Sequence, residues 1–245
     1  MTAQGFPRAA MVFAAGFGTR MAPLSTHTPK PLIEVAGQPL LAHALDALDP
    51  AKLERIVINT HYLADQIAAW VQAQGRGDLR LSHEPQLLDT GGGLWAARQM
   101  LGPGPAVTMN ADAVWRGPAA ASPLIDAWRP GQMDVLLLLV PKARAVGHLG
   151  PGDFDLGPEG QLLRRGAAPS AAYIYTGVSI TDQDLLDIQK DGQEDGQEDG
   201  AVFSLNRPWD RAIAKARAFG VVYPGHWADV GQPQSIPLAE AMVTG

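Results

Sequence analysis

Ala14-Ala15-Gly16-Phe17-Gly18-Thr19-Arg20-Met21 closes the first apolar run of the chain, at residues 9–15. Small residues at the end of a buried strand let backbone amides come close to a ligand, where they can cradle phosphates or contact a base. No Gly-Lys-Ser/Thr follows, so this is not a Walker loop, and the third glycine of the dinucleotide fingerprint is absent. By itself, the stretch is equally compatible with a tight turn between a strand and a helix.

Short apolar runs alternate with helical patterns through the first half of the chain. The strands predicted from these runs are residues 9–15, 56–59, 79–83, 106–110 and 135–140. The predicted helices are residues 40–48, 64–74, 93–101 and 123–128. This alternation predicts an α/β fold whose mostly parallel, Rossmann-like sheet carries helices on both faces. Ligands of such sheets bind at the carboxyl ends of the strands.

The second half of the chain has a different pattern. Strands predicted at residues 154–156, 162–164 and 173–180 indicate a small added mixed β lobe. Helices are predicted at residues 206–218 and 235–243, and a short strand at residues 221–223. We expect a single domain over residues 1–245.

Composition limits the possible partners and the compartment. The 245 residues are 46% hydrophobic, enough for the core of one large domain. A net charge of −6 argues against a nucleic acid or an anionic membrane as partner. The absence of cysteine excludes disulfides and thiolate zinc sites and is compatible with a reducing compartment. With no signal peptide or membrane-length apolar run in the sequence, we expect a cytoplasmic protein, either a monomer or a small homo-oligomer.

Residues 191–200 repeat the unit Asp-Gly-Gln-Glu. Acidic side chains and glycines resist packing, so this composition predicts a flexible, solvated loop over about residues 190–200. A calcium loop would need the EF-hand spacing, which the repeat lacks.

Two cations accompany the glycine-rich loop. Arg20 lies within it, and Lys30 follows in Pro29-Lys30-Pro31-Leu32. A proline on each side stiffens the backbone of the lysine and suits it to hold one charge against a phosphate. The planar guanidinium of Arg20 can donate to two phosphate oxygens. The alternative is two surface cations on a loop.

Together, Ala14 to Leu24, Pro29-Lys30-Pro31-Leu32 and Gly37-Gln38-Pro39 resemble the signature of the sugar-nucleotide pyrophosphorylases, or sugar-1-phosphate nucleotidyltransferases. Within this family, the chain resembles the short bacterial N-acetylmuramate 1-phosphate uridylyltransferases and their mannose-1-phosphate guanylyltransferase-like relatives. The resemblance implies a glycosyltransferase-A-like fold, with a nucleotide-binding half at about residues 9–115 and a sugar- and metal-binding half at about 116–245. It also implies a reaction of a nucleoside triphosphate with a sugar 1-phosphate, and Mg²⁺ as cofactor.

The resemblance assigns roles residue by residue. The catalytic residues it implies are Arg20, Lys30 and Asp112. The nucleotide-binding residues are Ala14, Ala15, Gly16, Gly18, Thr19, Arg20, Glu84, Thr90 and Gly91. Asp112 in Asn110-Ala111-Asp112 and Asp229 in Trp227-Ala228-Asp229-Val230-Gly231 are the metal ligands. The family usually has glycine where this chain has Ala111. Asn59, His61 and Tyr62 follow the second strand and could reach the same cleft, although His61 is more typical of a surface or capping histidine.

The sugar side is implied by fewer residues: Asn110, Asp153 and Gly177. The Glu-Lys-Pro motif of the larger enzymes is missing, and Val140-Pro141-Lys142 is the nearest remnant. This favours UTP and N-acetylmuramate 1-phosphate. The alternatives are a mannose-1-phosphate guanylyltransferase, a phosphocholine-type cytidylyltransferase or, more distantly, a non-catalytic regulatory domain. A dinucleotide-binding dehydrogenase would need an acidic residue after the second strand, where this chain has Asn59-Thr60.

We predict that the acidic repeat is dispensable for the reaction, because its composition cannot build a packed site. Deleting residues 193–200 should leave the turnover number within a few-fold of wild type. Steady-state kinetics and a melting curve check this. A large loss of turnover with unchanged melting would contradict it.

Overall fold

The computed structural model describes residues 5–187 and 202–245, so the acidic repeat at 191–200 lies outside the described residues. The strands are β1 (Ala9–Phe13), β2 (Glu34–Val35), β3 (Gln38–Pro39), β4 (Arg55–Thr60), β5 (Leu79–His83), β6 (Pro105–Asn110), β7 (Ala113–Arg116), β8 (Val135–Pro141), β9 (Ala145–Val146), β10 (Phe154–Leu156), β11 (Leu162–Arg164), β12 (Tyr173–Asp182), β13 (Ala218–Val222) and β14 (His226–Asp229). The helices are α1 (Leu40–Leu48), α2 (Ala64–Ala73), α3 (Asp89–Leu101), α4 (Ala121–Ala127), α5 (Asn206–Ala214) and α6 (Ser235–Thr244). Among the described residues, no helix has the length and apolar character needed to cross a membrane.

The main sheet is built around β1, which lies between β4 and β6 and is parallel to both. β5 extends the parallel part beyond β4. On the other side of β6, β12 runs antiparallel to both β6 and β8, and β13 is parallel to β8. The prediction of a mostly parallel α/β sheet is therefore confirmed.

Side chains of β1 alternate between two hydrophobic cores, as the two-residue period of a strand requires. Val12 packs in a core that contains Leu45 of α1, together with residues of α2 and α4. Met11 packs on the opposite face, in a core that contains Leu94 of α3 and Trp209 of α5. Helices cover both faces, as the sequence predicts.

A second, smaller sheet has the order β7-β14-β9. In it, β14 is antiparallel to β7 and parallel to β9. Helix α6 packs against this sheet through Ala239 and Met242, which share a core with Val114 and Ala228. The sequence patterns did not predict these short strands.

The added lobe at β10 and β11 is also found, with the predicted bounds. The two strands pair with each other in antiparallel fashion, and β10 pairs with the start of β12 through Phe154 and Tyr173. The lobe therefore extends the main sheet and does not form a separate layer.

The helix predicted at residues 206–218 is too long, because it ends at Ala214. Ala216 has a φ of 53°, which a right-handed helix cannot accommodate. The chain then enters β13 at Ala218, earlier than the strand predicted at residues 221–223. Arg217 lies in the turn between α5 and β13, and its guanidinium donates hydrogen bonds to both carboxylate oxygens of Asp134, at 2.8 and 2.6 Å.

We predict that Leu137→Ala destabilises the fold by about 2 to 5 kcal/mol, because it opens a cavity in a packed core. Leu137 is fully buried in β8, between β12 and β13. The matched control is Leu163→Ala on β11, where the side chain is 49% exposed and the expected change is within about 0.5 kcal/mol. Urea unfolding measures both. Equal effects of the two substitutions would contradict the assigned core.

Candidate active site

The loops after β1, β4 and β6 meet at the carboxyl edge of the main sheet. The backbone amide of Ala14, just after β1, donates to Asn59 Oδ1 in β4 at 2.7 Å. The amide of Ala111, just after β6, donates to the carbonyl of Phe13 at 3.3 Å. Ligands of parallel sheets bind at this edge, so these loops define the candidate site.

The glycine-rich loop owes its shape to Gly18, whose φ of +63° favours glycine. A Cβ at this position would lie 2.9 Å from the Cβ of Lys30, so any side chain would push the loop off Pro29-Lys30-Pro31. Ser25 Oγ donates to the Gly18 carbonyl at 2.8 Å and holds the turn. At Gly16, by contrast, no atom lies within 4 Å of a built Cβ, so the backbone there is open to a ligand.

A cavity of about 560 Å³ opens over this loop. Its lining includes these residues with predicted roles: Ala14, Ala15, Gly16, Gly18, Thr19, Arg20, Lys30, Thr90, Asn110 and Asp112. It also includes Asn59, Asp89, Val202 and Gly231. Glu84, Gly91, Asp153, Gly177 and Asp229 are not part of this lining. The structure thus gathers most of the predicted residues around one cavity.

Lys30 is held in one short turn, where Leu32 N donates to the Pro29 carbonyl at 2.8 Å. Its ammonium group donates to Asp112 Oδ2 at 2.9 Å. The Lys30 side chain is only 12% exposed and that of Asp112 is 31% exposed. The predicted catalytic lysine and the predicted metal ligand therefore neutralise each other at the cavity wall.

Asp229 lies beside Asp112, although 117 residues separate them in sequence. In the pairing of β7 with β14, Asp229 is opposite Ala113, and Val230 N donates to the Asp112 carbonyl at 2.8 Å. A Cβ built on Gly231 would lie 3.2 Å from Asp229 Oδ1 and 3.5 Å from Arg20 Nη1. Asp229 is therefore at the edge of the cavity, close to Arg20.

The donor set at this edge fits Mg²⁺. Mg²⁺ is usually bound through one or two carboxylates, with substrate phosphates and water completing its six ligands. Asp112, just before β7, and Asp229, at the end of β14, supply two such carboxylates on adjacent segments. No group of three or more His, Asp or Glu side chains in residues 5–187 and 202–245 is arranged to hold a metal. A metal here would therefore depend on phosphate oxygens of a substrate.

His148 was not found from the sequence, yet it contacts a predicted metal ligand. Its Nδ1 lies 3.3 Å from Asp229 Oδ2. This hydrogen bond raises the pKa of His148 above its usual 6.5, against the opposing effects of burial and of Arg20. His148 is 81 residues from Asp229 and belongs to no motif, so no spacing in the sequence links the two.

Helix α3 begins against the segment 202–205, which closes one side of the cavity. The amides of Gly91 and Gly92 donate to the Phe203 carbonyl at 2.9 and 3.0 Å. Thr90 Oγ1 accepts from Leu205 N at 3.0 Å. A Cβ on Gly91 would collide with the Phe203 ring. Gly91 thus serves close packing, and its role in nucleotide binding stays a prediction.

A second cavity of about 260 Å³ adjoins the first and shares Phe13, Asp89, Thr90 and Asn110 with it. It is also lined by Asp153, Phe154, Arg164, Tyr175, Ser204, Leu205, Asn206 and Trp209. Of the predicted sugar-binding residues, Asn110 and Asp153 line it. Gly177 lines neither cavity. A Cβ at Gly177 would lie 2.9 Å from the Cβ of Asn110, so this glycine lets β12 pass close behind that side chain.

Glu84 was predicted to contact the nucleotide, but its side chain is buried, with 1% of the residue exposed. Its Oε1 accepts from Asn59 Nδ2 at 2.7 Å, and its Oε2 accepts from Leu88 N at 3.0 Å. His61 and Tyr62 also lie outside the cavity lining. The His61 ring is 2.8 Å from the Glu84 carbonyl, and the Tyr62 hydroxyl donates to the Thr26 carbonyl at 3.0 Å. Asn59 alone of the three reaches the cavity.

Residues 10–171 match the family described as the MobA-like NTP transferase domain. The chain is 38% identical, over 96% of its length and 96% of the relative, to an N-acetylmuramate alpha-1-phosphate uridylyltransferase of Caulobacter vibrioides. It is 30% identical, over 95% of its length and 97% of the relative, to the protein of the same name from Neisseria meningitidis serogroup B.

Among solved structures, the fold is similar to that of an inositol-1-phosphate CTP transferase from T. maritima. The TM-score is 0.73, with 15% identity over 95% of this chain and 92% of that one. By its fold, its cleft and its relatives, the chain belongs to the MobA-like NTP transferase family and is a nucleotidyltransferase of the sugar-1-phosphate type.

Proposed function

We propose that the protein transfers the uridylyl group of UTP to N-acetylmuramate 1-phosphate, releasing pyrophosphate and forming UDP-N-acetylmuramate. The choice of base and sugar is supported by the two relatives that match the chain over almost its whole length. The chemistry is supported chiefly by one observation: Arg20, Lys30 and Asp112 all line one cavity beside a glycine-rich loop.

In this reaction an oxygen of the sugar phosphate attacks the α-phosphorus of UTP. The bond between the α-phosphorus and its bridging oxygen to the β-phosphate breaks, and that oxygen leaves with pyrophosphate. The second pKa of a phosphate monoester is about 6, so the attacking group is already largely ionised near neutral pH. The protein therefore needs no general base. It has to align the two phosphates and balance the charge that builds up between them.

We assign Arg20 to the β- and γ-phosphates and Lys30 to the α-phosphate and the sugar phosphate. Asp112 and Asp229 would hold Mg²⁺, which when bound neutralises phosphate charge and orients the triphosphate. Lys30 donates to Asp112 in the free protein, so it is already held at the cavity wall beside the carboxylate. It would exchange this partner for a phosphate oxygen when substrate binds.

The second cavity is the proposed sugar site. It adjoins the first cavity through Asn110 and Thr90, so a sugar there would have its 1-phosphate directed at the triphosphate. Asp153 is oriented by Tyr175 N, which donates to its Oδ2 at 2.9 Å, leaving acceptor positions for sugar hydroxyls.

We further propose that the reaction takes place in the cytoplasm and returns N-acetylmuramate, a cell-wall sugar, to peptidoglycan synthesis. A chain without cysteine is compatible with this reducing compartment. A monomer or small homo-oligomer stays our prediction for its assembly.

The function is tested by incubating the protein with each nucleoside triphosphate, a panel of sugar 1-phosphates and Mg²⁺, and measuring pyrophosphate. We expect the largest kcat/KM for UTP with N-acetylmuramate 1-phosphate. Preference for GTP with mannose 1-phosphate, or for CTP with phosphocholine, would overturn the substrate assignment while keeping the reaction class.

We predict that Asp112→Ala and Asp229→Ala each nearly abolish turnover without unfolding the protein, because each removes one of two charged ligands of the proposed metal. Asp65→Ala, at an exposed site in α2, is the matched control and should keep full activity. Turnover and melting temperature are measured for all three variants. Normal activity of either cleft variant at low Mg²⁺ would refute its assignment.

We predict that Lys30→Ala lowers the turnover number about a hundred- to thousand-fold, because the lysine stabilises charge that develops only in the transition state. Lys30→Arg should rescue poorly, since a planar guanidinium does not replace a compact ammonium. Lys215→Ala, at an exposed position after α5, serves as control. Steady-state kinetics for both substrates decide the matter. If only the Michaelis constants rose, Lys30 would be a ground-state binding residue.

A further inference from the structure

The buried carboxylate of Glu84 connects two segments of the chain through hydrogen bonds. It follows β5, is 1% exposed, and receives one hydrogen bond on each oxygen, from Asn59 Nδ2 at 2.7 Å and from Leu88 N at 3.0 Å. The ion pairs within residues 5–187 and 202–245 do not include it. Burying a charge is costly unless it is paired or hydrogen-bonded, so these two donors hold Glu84 in place.

The carboxylate also determines which way the Asn59 amide points. An ionised carboxylate only accepts hydrogen bonds, so it must receive Asn59 Nδ2. Asn59 Oδ1 is then directed at Ala14 N, from which it accepts at 2.7 Å. A flipped amide would set oxygen against oxygen at Glu84 and donor against donor at Ala14. The Glu84 carboxylate therefore determines which atom of the Asn59 amide faces Ala14, the first residue of the glycine-rich loop.

Both ends of this hydrogen-bonded chain reach the lining of the main cavity. Ala14 and Asn59 line it on the side of the glycine-rich loop. Leu88 immediately precedes α3, and its neighbours Leu87 and Asp89 also line the cavity.

Helix α3 packs directly on the pair. A Cβ built on Gly93 would lie 2.7 Å from Glu84 Oε1 and 3.1 Å from Asn59 Nδ2. There is no room for even one additional carbon atom, so a change in the hydrogen bonds of the pair must shift the helix or the loop.

We propose that Glu84 is a positioning residue for the nucleotide. Acting through Asn59 and Leu88, it holds the glycine-rich loop and the start of α3 at the separation that a nucleotide requires, without touching the nucleotide itself. This inference rests on the proposed function, because it takes a nucleotide to be the ligand of the main cavity.

The substitution Glu84→Gln tests the polarity of the chain at constant shape. Glutamine has one accepting oxygen and one donating nitrogen, so it cannot accept from both Asn59 and Leu88. One buried donor then faces another donor, and either the loop or the helix start must move. A buried donor without a partner costs free energy, and this cost should lower the affinity of the protein for UTP by roughly tenfold or more.

The double variant Asn59→Asp with Glu84→Gln restores all three hydrogen bonds and reverses the direction of the one between positions 59 and 84. Position 59 accepts from Ala14 N and from the new amide nitrogen at position 84, whose oxygen accepts from Leu88 N. The net charge equals that of the wild type. Asp134→Asn is the matched control, since it also converts a carboxylate to an amide. It breaks the Arg217 pair just before β8, at the amino-terminal edge of the sheet, away from the cleft.

The measurement is the equilibrium Kd for UTP with Mg²⁺, together with the KM for the sugar 1-phosphate and the melting temperature. We expect Glu84→Gln to weaken UTP binding about tenfold, with a smaller rise in the sugar 1-phosphate KM, because the start of α3 also lines the second cavity through Asp89 and Thr90. The double variant should bind UTP about threefold or more tightly than Glu84→Gln, as a coupled pair does, but less tightly than the wild type, because its carboxylate at position 59 lies in the cavity lining. Asp134→Asn should lower the melting temperature and leave the Kd unchanged.

The proposal is overturned if Glu84→Gln binds UTP like the wild type while melting as early as Asp134→Asn, because Glu84 would then serve stability alone. It is also overturned if the double variant folds but binds UTP no better than Glu84→Gln. If Glu84→Gln fails to fold, the double variant decides alone, and a double variant that folds but does not bind UTP overturns the proposal. Absence of UTP binding by the wild-type protein would instead refute the proposed function.

Discussion

The parallel register of β1 between β4 and β6 is the constraint on which the site depends. Ala10 lies opposite Ile56 in β4 and Val107 in β6, so the three strands run side by side and end at the same edge of the sheet. The glycine-rich loop, Asn59 and the Asn110 to Asp112 turn therefore converge, although they are far apart in sequence. Because side chains alternate along a strand, a slip of one residue would exchange the two cores and turn Asn59 away from Ala14.

Charge within the cleft differs from the charge of the whole protein. The net charge of −6 would repel a triphosphate, yet Arg20 and Lys30 both line the cavity. The pairing of Lys30 with Asp112 neutralises both charges at the cavity wall and holds the lysine in one position. A preorganised cation of this kind stabilises developing phosphate charge without further reorganisation, which is how electrostatic catalysis works in a site shielded from water.

The sequence was most informative where local patterns and local structure coincide. The strand β5, which is partly buried, and the helix α1 have the predicted bounds, because the pattern of apolar residues in each follows which side of the element is buried. Asp112 and Asp229 lie on adjacent segments, where Val230 N donates to the Asp112 carbonyl. Family motifs singled out both residues, whereas no visible periodicity did, and their shared metal stays a prediction.

Tertiary contacts explain what the sequence could not reveal. Glu84 is a charged residue that follows a strand, which is a typical position for a ligand-binding residue. Only the folded structure shows that it is buried under α3. His148 belongs to no motif, and its contact with Asp229 arises from the pairing of β14 with β9. The helix at α5 ends early because of the φ of Ala216, a backbone property that alanine does not signal.

The central claim is that one cleft binds the nucleotide and the metal together, and a crystal structure with UTP and Mg²⁺ tests it most directly. We expect the triphosphate over the glycine-rich loop, one Mg²⁺ about 2.0 to 2.1 Å from an oxygen of both Asp112 and Asp229, and Lys30 Nζ on a phosphate oxygen. A nucleotide bound outside this cavity, or a metal that neither aspartate contacts, would contradict the claim.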